Sequence, residues 1–276
     1  MNEPIGVNSP LPPSGAARRP APNDTSAMAD FPWWVVIILI GFIAAIVAIL
    51  LNPTQRAIYG EAFRFIVPGV LITLFVTVCA YAIAIVIGLV VGLMRLSKNP
   101  WLNQPARVYV EIMRGLPLLV IVLYAGFVIG PWVRDTTQGI WDPPMLTRAI
   151  IGLGLGYGSF VSEVFRSGIQ SIGRGQLEAA RSLGMSMRQA MIFVILPQAF
   201  RIILPPLGND LIALLKDSSL IAVLALEDIL QLGRQFISRT FRAIEGYNTV
   251  AFLYLVLTMT LSVIVAWIER RTRTSR

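Results

Sequence analysis

The sequence predicts an all-α fold of the polytopic membrane class, with about six transmembrane helices. The 276 residues are 55% hydrophobic and only 14% charged, with a mean hydropathy of +0.70, whereas soluble domains carry roughly 25% charged residues. The apolar residues are gathered in long runs that basic segments separate. Since one span needs about 20 apolar residues, six spans would use about 120 and leave enough chain for loops and tails.

The first span is predicted close to the beginning of the chain. Residues 1–32 are rich in Pro, Ala, Ser and Asn, which is typical of a flexible tail. The first long apolar run follows, and Trp33 and Trp34 at its start suit a membrane interface. We therefore predict a cytoplasmic tail over 1–32 and a transmembrane helix over 33–51.

Five further spans are predicted over residues 66–94, 116–133, 147–165, 190–214 and 248–268. The second span of the chain carries Gly88 and Gly92, a spacing that allows close contact between helices. The fifth contains Pro197, Pro205 and Pro206, and prolines remove backbone donors from a helix. We therefore expect the fifth span to be kinked or broken.

The distribution of basic residues predicts the orientation. With six spans, one side receives both termini and the loops 95–115 and 165–190, and carries 14 basic residues, while the other side carries 8. Because Lys and Arg concentrate in cytoplasmic loops, both termini are expected in the cytoplasm, including a short basic tail over 269–276. The pattern accounts for the net charge of +8 without a nucleic-acid site.

Several kinds of chemistry are excluded by composition. The chain has no histidine, and Cys79 is its only cysteine, which argues against zinc or copper sites, internal disulfides and Cys–His catalysis. Neither of the two lysines, Lys98 and Lys216, follows a glycine, so there is no phosphate-binding loop for ATP. We therefore expect no catalytic residue, no metal and no cofactor on this chain.

The predicted cytoplasmic loop over 171–190 has the pattern of a short helix, a sharp turn and the start of a membrane helix. Gln176 to Leu183 are good helix formers, and Gly184 suits a left-handed cap. Ser186 and Gln189 have the spacing of a capping box. Glu178 is expected in the first helical turn, where its charge suits the helix dipole. Ala179 and Ala180 are expected to give a flat surface that another protein could approach closely.

This loop and three other segments resemble the polar amino acid permeases of binding-protein-dependent ABC importers. The run Glu178-Ala179-Ala180, then Gly184 and Val194-Ile195-Leu196-Pro197, is similar to the EAA loop of that family, with Val194 in place of the usual Ile. The other similar segments are Tyr109–Leu119, Ser162–Ile169 and Lys216–Leu220, with Leu116 replacing a Thr and Ser167 a Gly. The resemblance covers about residues 66–268, a permease domain with five transmembrane helices, and leaves the first span outside.

The resemblance implies a type I ABC importer permease in the inner membrane of a bacterium. Such a chain pairs with a second permease, the same or related, and receives an amino acid from an extracytoplasmic solute-binding protein. ATP and Mg are used by separate ATPase subunits, each of which would hold a coupling helix, here about 176–184. The coupling residues implied are Gln176, Glu178, Ala179, Ala180, Arg181 and Gly184.

Polar side chains at membrane depth are costly and mark substrate pathways by default. The candidates are Ser159, Ser162, Glu163, Asn209, Asp210, Lys216, Asp217 and Ser218. An amino acid needs a carboxylate for its ammonium group, which Glu163 or Asp217 would supply. It also needs donors for its carboxylate, which Ser218, Asn209 or Lys216 would supply. In the plainer interpretation Glu163 pairs with Arg166, and Lys216 and Asp217 anchor a helix at the interface.

Two other functions stay open at this level. The first is a permease for a different small solute, such as an opine or an oligoamine. The second is a channel or receptor-like membrane protein with no ATPase partner. The glycine run from Gly152 to Gly158 does not decide between them, because it lies in an apolar span and predicts close helix packing.

Overall fold

The computed structural model describes residues 51–272 together with Gly41 and Val47. The chain divides into two compact units, residues 1–56 and residues 57–276. In the first unit the side chain of Asn52 accepts hydrogen bonds from the amides of Thr54 and Gln55, at 3.1 and 3.3 Å, which caps the start of a helix. The predicted tail over 1–32 and nearly all of the predicted span over 33–51 lie outside the described residues.

The described part of the chain consists of helices, with no strand. They are α1 (Pro53–Ile66), α2 (Gly69–Leu96), α3 (Pro100–Gly115), α4 (Leu118–Thr136), α5 (Met145–Gln170), α6 (Arg174–Ser182), α7 (Met187–Leu224), α8 (Ile229–Thr240) and α9 (Ala243–Thr272). Helix α4 contains a π-helical turn over Ala125–Ile129 and α7 another over Met191–Ile195, and α7 ends in a 3₁₀ turn over Ser218–Leu224. The predicted all-α class is confirmed.

Helices α2 and α5 run parallel at the centre of the second unit, with their backbones in contact. A Cβ atom added at Gly92 of α2 would lie 2.9 Å from the carbonyl oxygen of Ser162, and one added at Gly154 of α5 would lie 3.2 Å from that of Ala80. Gly88 meets α5 between these two levels, where an added Cβ atom would lie 3.0 Å from the amide nitrogen of Ser162. The predicted role of Gly88 and Gly92 in close helix contact is confirmed.

Four helices in the described part of the chain are long and apolar enough to cross a membrane: Gly69–Leu96, Leu118–Thr136, Met187–Leu224 and Ala243–Arg271. They correspond to the second, third, fifth and sixth predicted spans. Helix α5, which corresponds to the fourth predicted span, is long enough, but its composition is not apolar enough for it to be counted with them. It runs alongside α2, however, and most of its residues are buried by neighbouring helices, so it needs fewer apolar side chains than a helix that faces lipid.

The prolines of α7 do not break it. Residues Leu196–Asp217 are continuous α-helix through Pro205 and Pro206, so, of the kink or break expected for this span, a break at these two prolines is wrong. The irregular turn lies just before Pro197, which occupies the start of the regular segment. A π-helical turn at that place makes room for the proline ring, which would otherwise meet the carbonyl of the preceding turn.

The first turn of α3 lies beside the end of α2, and α3 continues from there along α5. The side chain of Asn103 donates to the carbonyl of Arg95 at 2.6 Å, near the end of α2. Further along α3, the hydroxyl of Tyr109 donates to the carbonyl of Leu155 at 2.6 Å, near the middle of α5. Residues 100–115, predicted as part of a loop, therefore form a helix that packs along α5 as far as its middle.

A short break separates α3 from α4 at this depth. Leu116 and Pro117 have extended backbone, with ψ of 140° and 136°. Helix α4 then continues along α5 toward the start of α5. Leu118 contacts Gly156, and Ala125 contacts Gly152. Together α3 and α4 pack along α5 with an interruption near its middle, which could not be seen in the sequence.

A second hydrophobic cluster joins α1, α8 and α9 to the start of α2. It consists of Ala62, Ile66, Ile229, Leu232, Phe236, Val250 and Leu253. Asp228, fully buried, caps α8 by accepting the amide of Gln231 at 2.8 Å, and its other oxygen accepts the hydroxyl of Tyr254 at 3.0 Å. Burial raises the pKa of Asp228 to about 6, even though both hydrogen bonds favour its charged form.

Candidate functional site

The loop between α5 and α7 has the predicted helix and turn. Gly184 follows α6 with a φ of +83°, the left-handed conformation that closes a helix end. The amide of Gly184 donates to the carbonyl of Arg181 at 3.0 Å, and the amide of Met185 to that of Ala180 at 3.2 Å. These bonds satisfy carbonyls that the helix end leaves free, so the turn is sharp and well defined.

The capping box at the start of α7 is confirmed. The amide of Gln189 donates to the hydroxyl of Ser186 at 3.2 Å, and the Gln189 side chain accepts the Ser186 amide at 2.8 Å. Only Gly184 and Met185 therefore separate Leu183, the last cap residue of α6, from Ser186, the first cap residue of α7.

Helix α6 begins earlier than the sequence predicts. It starts at Arg174 after Gly173, so Glu178 lies in the second turn and its first turn contains no acidic residue. The expected interaction of Glu178 with the start of the helix is wrong. Its carboxylate is instead exposed, on a surface that it shares with Ala179 and Arg181.

The side of α6 that faces away from the exposed surface packs against the rest of the chain. Ala180 is buried, at 4% exposure, and Leu177 packs on the main hydrophobic cluster. The side chain of Gln176 accepts a hydrogen bond from Gln198 of α7 at 3.4 Å. A partner can therefore contact Ala179 here, whereas Ala180 is already covered by its own chain and does not form the predicted flat surface.

The serines proposed for the pathway are buried and bonded within their own helices. Ser159 donates to the carbonyl of Gly156, and Ser162 to that of Ser159, both at 2.7 Å. Ser218 donates to the carbonyl of Leu215 at 2.7 Å. All three have no exposed surface, so their hydroxyl groups do not reach a pathway in this conformation.

Glu163 belongs to an ionic cluster near the C-terminal ends of α2 and α5. Its carboxylate contacts Arg95 of α2 at 2.5 Å and also pairs with Arg166 of its own helix. Arg166 in turn donates to the side chain of Gln170 at 2.5 Å. The plainer interpretation of Glu163, a pair with Arg166, is confirmed, and the added contact to Arg95 fastens α2 to α5.

Asp217 and its neighbours form a different arrangement. The hydroxyl of Tyr157 on α5 donates to the Asp217 carboxylate at 2.6 Å, and Asp217 is only partly buried. Asn209 and Lys216 are exposed on α7. One carboxylate oxygen of Asp210 is buried without a hydrogen-bond partner. Polar side chains therefore follow one helix, α7, from Asn209 to Asp217.

Two tyrosines, Tyr157 and Tyr81, contact α7 in this region, and neither was among the residues predicted from the sequence. Tyr157 lies inside the glycine run of α5, where the glycines drew attention to packing. Tyr81 of α2 donates to the carbonyl of Leu207 at 2.5 Å, beneath the polar residues of α7. A tyrosine in the middle of an apolar span is a usable signal, because its hydroxyl must find a partner there.

The described residues contain no group of three or more His, Cys, Asp or Glu side chains that could hold a metal ion. The chemistry available is therefore that of charges and hydrogen bonds. An exposed, firmly capped helix lies on the loop between two crossing helices, and polar side chains lie within the crossing region.

Known proteins share these features. Residues 84–274 match the family described as binding-protein-dependent transport system inner membrane component. The chain is 38% identical over 196 residues to the probable amino-acid ABC transporter permease protein YckA of Bacillus subtilis, covering 70% of this chain and 83% of that protein. It is 35% identical over 210 residues to the glutamine transport system permease protein GlnP of Escherichia coli K12, covering 76% and 94%.

Solved structures agree. A crystal structure of an amino acid ABC transporter with histidines has a TM-score of 0.69 at 34% identity and covers 80% of this chain and 99% of the other. The inward-facing MetNI methionine ABC transporter shares the fold, with a TM-score of 0.64 at 24% identity, covering 76% and 97%. The chain therefore belongs to the family of membrane-spanning components of binding-protein-dependent transport systems. It is the non-catalytic permease subunit of an ABC importer, a multi-pass protein of the inner membrane.

Proposed function

We propose that this chain forms the translocation pathway of an ATP-driven amino acid importer and is driven by a separate ATPase through α6. The observation that carries the proposal is the exposed side of α6, with Glu178 and Arg181, on a helix whose far end is fixed by Gly184. A surface that binds a moving partner must be exposed and also stiff. Helix α6 meets both conditions.

The mechanism follows from how α6 is attached. ATP and Mg close the ATPase pair, and each α6 moves with the ATPase surface that holds Gln176, Glu178, Ala179 and Arg181. Because Leu177 and Ala180 pack against the chain and only a tight turn joins α6 to α7, the movement reaches α5 and α7. The pathway then alternates between inward-open and outward-open packings of similar free energy.

The substrate class is supported by the names of the relatives, which are amino-acid and glutamine permeases. Among the pathway candidates we retain Asp217 for the ammonium group, and Asn209 and Lys216 for carboxylate or side-chain groups. We do not retain the other four candidates, because each already has a partner: Ser159, Ser162 and Ser218 are bonded within their own helices, and Glu163 joins α5 to α2.

The assembly we propose contains two permease subunits, two ATPase subunits and an extracytoplasmic solute-binding protein. Residues 66–268 would form the permease domain, and residues 33–51 an additional helix preceded by a cytoplasmic tail. Both termini would lie in the cytoplasm, since α6 must face the ATPase and the basic residues favour the same side.

Reconstitution tests the proposal. The permease, its ATPase and its binding protein are placed in proteoliposomes, and uptake of a panel of radiolabelled amino acids, one opine and one oligoamine is measured with and without ATP. We expect ATP-dependent accumulation of at least one amino acid. Uptake of only the opine or the oligoamine would replace the substrate class, and passive flux through the permease alone would indicate the channel alternative.

A further inference from the structure

Both π-helical turns in the described part of the chain end two residues before a proline. In α4 the turn covers Ala125–Ile129 and is followed by Pro131, and in α7 it covers Met191–Ile195 and is followed by Pro197. A proline has no amide hydrogen, so one carbonyl group in the preceding turn of each helix loses its partner. Because a buried carbonyl without a donor is costly, another group is expected to supply the bond.

In α4 the carbonyl without an amide partner is that of Gly126. The amide of Gly130 donates to the carbonyl of Ala125, five residues earlier. The next bond of this register would join residue 131 to Gly126, and Pro131 cannot donate it. The guanidinium group of Arg148, on α5, donates to the Gly126 carbonyl at 2.9 Å. The arginine therefore takes the place of the amide that the proline lacks.

Arg148 also holds the loop between α4 and α5. Its guanidinium group donates to the carbonyl of Pro143 at 2.8 Å and pairs with the carboxylate of Asp142 at 2.6 Å. Its side chain is only 12% exposed. Gly130 leaves the room for it, because an added Cβ atom there would overlap the arginine. One side chain thus connects the π-helical turn of α4, the loop after α4 and the start of α5.

The π-helical turn of α4 is also the place where α7 meets α4 and α5. A Cβ atom added at Gly126 would lie 2.7 Å from Leu224, in the 3₁₀ turn of α7, and 3.3 Å from Met145, at the start of α5. Leu224 is buried. The start of α5 is separated from α6 by the full 26-residue helix, or about 39 Å. In the orientation that we propose, this junction lies at the extracytoplasmic end of the pathway.

The hydrogen bonds of α4 have two alternative registers at this proline. In the π register the carbonyl of Gly126 lacks an amide partner, and Arg148 bonds it. In an α-helical register, with bonds to the fourth residue back, the missing amide of Pro131 would leave the carbonyl of Phe127 without a donor instead. Successive carbonyl groups lie about 100° apart around a helix, so Arg148 is positioned for the first and not for the second. Arg148 therefore favours the π register, in which Gly126 packs against Leu224.

We propose that Arg148 is a latch that holds the extracytoplasmic end of the pathway closed by fixing the π-helical turn of α4. When ATP-driven movement of α6 displaces α7, the 3₁₀ turn leaves Gly126 and the turn of α4 changes to the α-helical register. Arg148 then loses the Gly126 carbonyl and keeps Asp142, and the substrate enters beside α4. Arg148 is a positioning residue, because it acts through α4 and does not contact the substrate. The inference rests on the proposed function and adds the residue that sets the resting state.

The test follows a buried reporter in the 3₁₀ turn of α7. Ala222 is replaced by Cys in a Cys79→Ala background, and the complete complex in nanodiscs is treated with a charged thiol reagent without ATP. Arg148→Met keeps the length of the side chain and removes its donors. We expect the labelling rate to rise about tenfold, the factor typical of losing a hydrogen bond from a charged group. Arg134→Met, at an exposed position of α4, is the matched control and should label within twofold of the parent complex.

A second substitution separates a latch from a purely structural hydrogen bond. Pro131→Ala gives residue 131 an amide, which can satisfy a carbonyl of α4 in either register. Combined with Arg148→Met, it should restore the Tm that the single variant loses, while the reporter still reacts about tenfold faster than in the parent complex. Restoration of both the Tm and slow labelling would overturn the latch, because Arg148 would then only supply a missing bond. Labelling of the Arg148→Met complex at the parent rate would overturn it too.

The remaining outcomes are also decisive. If Arg148→Met does not assemble, Arg148→Lys and the double variant decide by the same labelling measurement. Arg148→Lys keeps the charge beside Asp142 but replaces three donor atoms by one nitrogen, so its labelling rate should be intermediate; the parent rate in both variants would overturn the latch. Because labelling is measured without transport, a wild-type complex that labels slowly but accumulates no amino acid with ATP would contradict the proposed function alone.

Discussion

The α2–α5 pair and the loop that carries α6 are held together in opposite ways. In the pair, glycines bring two backbones into contact and Glu163 joins Arg95 to Arg166. In the loop, α6 is attached through Leu177, Ala180 and one long hydrogen bond, and most of its side chains are exposed. The pair is close-packed, whereas the loop has an exposed surface that we propose the ATPase holds.

This difference separates two kinds of defect. A substitution between α2 and α5 should destabilise the whole bundle, since a close-packed interior has no room to adjust. A substitution in α6 or its turn should leave the bundle folded and impair only the transmission of movement. Variants that affect stability and variants that affect coupling should therefore map to different places on the chain.

The largest expected effect is on the rigid side of the comparison. Gly92→Leu places a side chain where even a Cβ atom would be 2.9 Å from the carbonyl oxygen of Ser162, so α2 and α5 must separate. We expect at least a tenfold loss of monodisperse protein in detergent, measured by size-exclusion chromatography. Gly60→Leu is the matched control, because a Cβ atom at Gly60 meets nothing within 4 Å; equal yields would contradict the proposed packing.

A second prediction concerns the buried carboxyl group that fastens α8. Because the folded pKa of Asp228, about 6, exceeds its ordinary value of 3.8, its contribution is complete below pH 4 and is lost as the pH rises through 6. The loss corresponds to about 3 kcal/mol. Asp228→Asn keeps the cap and the partner of Tyr254 without a buried charge, so the fall in Tm between pH 4 and 7 should be smaller than in wild type. A fall as steep as that of wild type would remove Asp228 as its source.

A smaller effect is expected at the turn after α6. Gly184→Val forces a β-branched residue to a φ of +83°, at a cost of about 1–2 kcal/mol. We expect uptake to fall about tenfold, while Tm falls by only about 2–8 °C, the shift that this strain gives in a chain of this size. Gly175→Val is the control, since Gly175 lies in α6 with open space around it. Equal uptake in the two variants would show that the turn does not transmit movement.

The local features of the loop could be predicted because their causes are close in sequence. Gly184 and the Ser186–Gln189 capping box depend on backbone groups within a few residues, and both are confirmed. Glu178 was assigned to the wrong turn because the start of a helix after Gly173 has no strong side-chain signal. The span positions followed in the same way from runs of apolar residues.

The candidate pathway was harder, because the direction of a side chain within a bundle depends on residues far away in sequence. Ser159 and Ser162 look polar in the sequence, yet the close approach of α2 buries them. The prolines suggested a break in α7, whereas the interruption lies between α3 and α4. Only the contact between Tyr109 and Leu155 shows that α3 packs as far as the middle of α5.

The most direct measurement for the central claim is co-purification of the ATPase with a Glu178→Arg permease. Reversing the charge on the exposed face of α6 should lower the amount of ATPase recovered at least tenfold, while the permease itself stays monodisperse. Asp135→Arg, a charge reversal at the exposed end of α4 on the opposite side, should recover the ATPase as wild type does. Full recovery of the ATPase with Glu178→Arg, together with normal ATP-driven uptake, would contradict the account.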